Sequence, residues 1–96
     1  MATWCERLRP LQDQWLVTTE DEVPFHVVLV DARRVKIEVG KDRTSYSINC
    51  GQFKKAQERG LMRGDVKRQE LQDEGIAGGR TSYAAAIIRE VFKRGL

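Results

Sequence analysis

His26, Cys5 and Cys50 are the chain's entire stock of imidazole and thiol. A thiol beside an imidazole can act as a nucleophile activated by its base. Here the histidine lies inside the apolar run 25–30, and no third group is placed to orient it. The expectation is a core or rim histidine and two reduced thiols packed as small hydrophobes. No export signal opens the chain, and cytosolic structural disulfides are rare. Two Cys and one His also fall short of a zinc set, which takes four clustered ligands or three with an open position. Glu20-Asp21-Glu22 has no further ligands around it and reads as a solvated acidic turn. No catalytic residue, metal or cofactor is assigned, and a binding protein is expected rather than an enzyme.

The stretch Gly75-Ile76-Ala77-Gly78-Gly79-Arg80-Thr81 invites comparison with a phosphate-binding loop. That pattern wants a glycine, four residues, then Gly-Lys-Ser/Thr. Aligned on Gly79, the first position holds Glu74 and the lysine position holds Arg80, so the match fails. A weaker possibility survives. A glycine turn leading into a helix presents free amides and a positive dipole end to an anion. Gly78, Gly79, Arg80, Thr81 and Ser82 form that candidate anion site, with a plain turn and helix cap as the competing reading.

The third candidate is the basic surface. Lys and Arg number 17 against 14 Asp and Glu, and the excess is uneven: residues 1–50 carry net −1 and residues 51–96 net +4. Arg33, Arg34, Lys36 and Arg43, with Lys41, fall on or beside predicted strands. Lys54, Lys55, Arg80, Lys93 and Arg94 fall on or beside predicted helices. Cations gathered on one face bind a phosphate backbone by releasing its counterions. Two features oppose this. Glu38, Glu58, Glu70, Asp73 and Glu74 are interspersed, and the aromatics, Trp4 and Trp15 included, are assigned to the core. That assignment leaves no platform for stacking bases.

These residues need a scaffold, and residues 23–50 supply its centre. Arg34-Val35-Lys36-Ile37-Glu38-Val39 alternates charged and apolar residues, the period of a strand with one buried face. A strand over 25–30 precedes it and reads as central and covered on both faces, being nearly all apolar. Gly40-Lys41-Asp42 signals a hairpin into a strand over 43–50. Upstream, Thr3 to Glu6 fits a capping box, and Pro10 should end or restart the helix that follows. Residues 14–19 read as a short first strand.

Downstream, Asn49 should cap a helix over 52–59, and Asp65 another over 66–73 with a poor apolar stripe. Tyr83, Ala84, Ile87, Ile88, Val91 and Phe92 line one side of a last helix, capped by Thr81 or Ser82 and stopped by Gly95. The reading is one α+β domain over 1–96: an N-terminal helix and turn (1–22), a three- to four-stranded antiparallel meander, SH3-like in one version (23–50), and a basic helical half (51–96). The C-terminal amphipathic helix should lie on the sheet.

The expected role is nucleic-acid or nucleoprotein binding through a basic face. The alternative is an inhibitor or adaptor, of the small phage or bacterial type, docking on an acidic or nucleic-acid-binding protein surface. No apolar run reaches the ~20 residues that span a bilayer. A cytoplasmic setting is expected, and a homodimer is one state the reading allows.

Overall fold

The computed structural model describes residues 4–18 and 21–95. The expected Thr3 cap and Glu20 of the acidic turn lie outside them. Four strands form one antiparallel sheet in consecutive order: β1 (Trp15–Val17), β2 (Pro24–Val30), β3 (Arg34–Val39) and β4 (Thr44–Asn49). The helices are α1 (Trp4–Leu8), α2 (Cys50–Glu58), α3 (Arg68–Asp73) and α4 (Thr81–Arg94). The sheet is an open meander. Pro10 acts as expected: α1 ends at Leu8, and a 3-10 turn over Arg9–Leu11 takes the proline at its start. There the missing amide costs no helical hydrogen bond.

Alternation decides which side of the sheet is buried. Leu16, Phe25, Val27, Val30, Val35, Ile37 and Ile48 point under the helices and are at most 4% exposed. Lys36 and Glu38 alternate with them and face away, as the charge pattern of β3 requires. The helices cover only that one side. The expectation that β2 is covered on both faces is therefore corrected. It is central, but its burial alternates until the pairing with β3 shifts between Val27 and Leu29. At that bulge one extra residue breaks the alternation. Both Val28 and Leu29 are turned outward, which explains an apolar run on a strand with an open face.

The helical layer departs from the sequence reading in instructive ways. Ala85, which lies opposite the apolar stripe of α4 and is expected on its solvent side, is buried, whereas Phe92, within the stripe, is 44% exposed. The reason is that α4 is covered twice, by the sheet on one side and by α3 on another. The Arg89 Nε donates to the Val66 carbonyl at 2.8 Å and ties the two helical segments together. Neither Thr81 nor Ser82 caps α4: the cap position is Arg80, Thr81 is the first helical residue, and its side chain is buried. Gly95 ends the helix at φ 70°, a left-handed stop that suits glycine.

Asn49 caps α2 as expected, its Oδ1 accepting from the Gly51 amide. The Gln52 Oε1 accepts from the Ala77 amide, 25 residues away. Asp65 caps nothing. Helix α3 starts at Arg68, where the Glu70 carboxylate accepts from the Lys67 amide. The polar stretch between α2 and α4 is anchored by Leu61, Val66, Leu71 and Ile76, each no more than 8% exposed.

The largest correction concerns the cysteines. Cys5 on α1 and Cys50 at the first turn of α2 are joined as a disulfide, with Cα atoms 5.7 Å apart. That separation lies inside the window a disulfide needs. The expectation of two reduced thiols came from composition, which cannot register that folding brings positions 45 apart in sequence together.

Candidate nucleic-acid interface

The open face of the sheet carries the most unusual chemistry of the molecule. Strand pairing places Trp15 opposite His26, His26 opposite Glu38, and Glu38 opposite Ser45, so these four residues form one row across all four strands. Directly opposed residues in antiparallel strands hold their Cβ atoms about 5 Å apart. The Trp15 and His26 rings stack, with centroids 5.0 Å apart and planes 14° from parallel. Trp15 is 66% exposed, so the stack stands in solvent rather than in the core.

This overturns the assignment of both tryptophans to the interior. Trp4 does belong there, 9% exposed, with its Nε1 donating to Gln57 Oε1 at 2.7 Å. Trp15 is the odd position of an edge strand whose only buried residue is Leu16. The pattern Trp15-Leu16-Val17 gives no sequence sign of this, since all three are apolar.

Charged groups surround the stack. Trp15, His26, Val28 and Glu38 line a depression of about 480 Å³, closed on the other side by Gly40, Lys41 and Arg43 of the β3–β4 turn. Gly40 takes φ 75°, and Arg43 takes φ 51°. The second value is costly for an arginine, roughly 1 kcal/mol against an ordinary backbone conformation. Lys36 and Arg34 continue the basic character along β3. Acidic groups are present too. Asp31 accepts from the Arg33 and Arg34 amides at 2.8 Å each and lies 3.7 Å from the Arg34 Nε. Those amides, then the guanidinium charges, hold its carboxyl below the usual carboxylate range. Asp13 lies 3.9 Å from the His26 Nε2.

The remaining basic candidates lie elsewhere. Lys54 and Lys55, with Glu58 and Arg59, border a shallow depression along α2 on the helical side. Lys93 and Arg94 sit at the end of α4. Arg94 pairs with Glu90 at 2.6 Å and reaches Gln14 at 3.5 Å, beside the β1 edge. Thus Arg34 and Lys36 share the open face with Arg43, Arg33 sits in the β2–β3 connection, and the helical cations form at least two separate groups.

At the glycine turn, Gly78–Arg80 forms a 3-10 turn entering α4. The Arg80 guanidinium lies over the Tyr46 ring, 5.1 Å from its centroid, and Tyr46 stacks on Tyr83 at 5.7 Å. Burial, then the neighbouring Tyr46, pushes the Tyr83 phenol above its ordinary value. Arg80 is thus engaged with aromatic rings, and its Nε is buried without an acceptor among the described residues. Thr81, one of the five residues of the candidate anion site, is buried rather than presented. Among the described residues no three His, Cys, Asp or Glu side chains gather as a metal site, and no helix is long and apolar enough to cross a membrane. No protein-family model, curated protein or solved structure matches the chain.

Proposed function

We propose that this chain is a non-catalytic binding protein that holds nucleic acid on the open face of its sheet. The observation that carries the reading is the exposed Trp15–His26 stack, beside Lys41 and Arg43 of the same depression. Aromatic rings in solvent beside cations supply the two things a nucleic-acid surface needs, a place for base faces and partners for phosphates. The exposure of Trp15 also removes the main objection raised by composition, that the aromatics were spent in the core. The expected cytoplasmic setting draws no support from the Cys5–Cys50 disulfide, since structural disulfides are rare in the cytosol.

Fluorescence anisotropy with labelled DNA and RNA, at low and at physiological salt, tests the reading. Micromolar or tighter binding at physiological salt, lost in Arg34→Glu with Lys36→Glu and kept in Lys93→Glu with Arg94→Glu, supports it and fixes the face. Binding seen only at low salt and indifferent to both pairs is generic charge attraction, and the reading fails.

One observation favours a second reading, a protein-docking inhibitor or adaptor. Phe92 is 44% exposed and borders a depression of about 290 Å³ with Trp4, Arg7 and Met62 on the helical side. An exposed aromatic bordering a depression is a common anchor for a protein partner or a second copy of the chain. Loss of a protein complex in Phe92→Ala, with nucleic-acid binding absent, supports that reading over the first.

A further inference from the structure

Resting on the nucleic-acid reading, we infer that the depression beside the Trp15–His26 stack is a nucleobase pocket that takes an unpaired base and favours guanine. Three observations converge. The first is the stack itself: a base laid into the depression adds a third ring to it. A base inside a duplex already has both faces covered by its neighbours, so only a single strand or a flipped base can offer one.

The second observation is Glu38. Its carboxylate lines the depression, stands directly opposite His26 in the strand pairing, and is half-buried. It makes no hydrogen bond or ion pair among the described residues. An unpaired carboxylate at that point repels a phosphate, which alone would argue against a nucleic-acid site. It is, however, an acceptor pair suited to the edge of a base. Guanine presents two parallel N–H donors there, at N1 and the N2 amino group, and a carboxylate accepts both. Cytosine and adenine offer an amino donor with a ring acceptor beside it. Thymine and uracil offer one N–H between two carbonyls, which a carboxylate repels.

The third observation is where the cations stand. Lys41 and Arg43 line the depression from the exposed β3–β4 turn, which makes its rim, whereas Glu38 is half-buried. A nucleotide set in the pocket with its base against Glu38 has its phosphate at that rim. The mixed charges that count against a simple phosphate surface therefore sort by depth, acceptor within and cations around.

The test compares a short oligothymidine, the same strand with one central guanosine, and the duplex of the latter, by anisotropy at physiological salt. The expected result is that the guanosine strand binds at least about fivefold tighter than oligothymidine, the lower end of what a two-bond base contact discriminates, with the duplex weakest. Glu38→Gln should equalise the two strands while still binding them. Trp15→Ala should weaken both strands, and circular dichroism on both variants checks the fold. Equal affinity of wild type for the two strands, or duplex binding as tight as the guanosine strand, overturns the inference and leaves the broader nucleic-acid reading standing. Absence of binding to all three overturns both.

Discussion

Trp15 and His26 face one another across the β1–β2 pair with their rings nearly parallel, and the tryptophan is mostly in solvent. Such a contact contributes little to folding, since an exposed aromatic pair is worth about 1 kcal/mol. Trp4, by contrast, is buried and hydrogen-bonded to Gln57. Trp4→Ala should therefore cost about 3–5 kcal/mol of stability and Trp15→Ala no more than about 1.5 kcal/mol. Denaturant unfolding of the two variants measures both, and equal losses would mean that Trp15 is packed.

The Cys5–Cys50 bond should be a large term in stability. Closing a loop between residues 45 apart restricts the unfolded chain by about 4 kcal/mol in the loop-entropy picture. Urea unfolding of the oxidised protein should reveal no titratable thiol, and adding dithiothreitol should lower the midpoint. A midpoint unmoved by reductant would show that packing alone holds α1 on the rest.

Arg43 holds a left-handed backbone conformation that glycine adopts freely. Arg43→Gly should relieve up to about 1 kcal/mol of that cost, partly offset by the greater freedom of glycine in the unfolded chain. If Arg43 meets a phosphate at the pocket rim, the same change weakens nucleic-acid binding. Stability and affinity should then move in opposite directions, a pairing that a purely structural arginine would not give. Melting curves and anisotropy on one variant suffice.

Two carboxyl groups contribute to the acid side of the stability profile. Asp31 is held below its ordinary 3.8 by the amides of Arg33 and Arg34, and Glu70 below its ordinary 4.5 by the Lys67 amide and then by Arg63. A depressed folded value means the native state takes up the proton less readily than the unfolded chain. The stabilisation is complete above the ordinary values and is lost as pH falls through the folded ones. Melting temperature should drop below about pH 4, less steeply in Asp31→Asn with Glu70→Gln. Carboxyl NMR titrations at or above the ordinary values would contradict this.

Arg89 joins α4 to the segment before α3 through the Val66 carbonyl. Arg89→Met keeps the aliphatic stem and removes the donor, leaving that carbonyl without it. A cost of about 1–3 kcal/mol is expected, and hydrogen exchange should quicken in α3 before it does in the sheet. Uniform exchange across the protein would place the bond outside any local unit.

What was legible in the sequence is what one period governs. The alternation of Arg34 to Val39 gives β3 and its two faces, and Pro10 and Gly95 mark where helices stop. Ala85 lies opposite the apolar stripe yet is buried, because a single stripe assumes a single neighbour, and α4 has two. The segment after α2 hid its order for a related reason. Leu61, Val66, Leu71 and Ile76 recur every fifth residue, a spacing that matches neither helix nor strand. The site was half legible: Arg34, Lys36 and Arg43 could be put on the solvent face. Trp15 could not, because its neighbours are as apolar as it is, and only the partner strand shows which of the three turns inward.

The disulfide has one further consequence, for the integrity of the chain after it is cut. The bond closes a ring from Cys5 to Cys50 that contains the four strands, with α2, α3 and α4 following as a tail. A protease that nicks the β3–β4 turn, at Lys41 or Arg43, opens the ring without dividing the molecule. The two pieces stay linked and run as one band until reductant is added. A nick after Arg63, in the tail, releases a fragment at once. The gel pattern with and without reductant therefore maps which side of Cys50 a cut has fallen on.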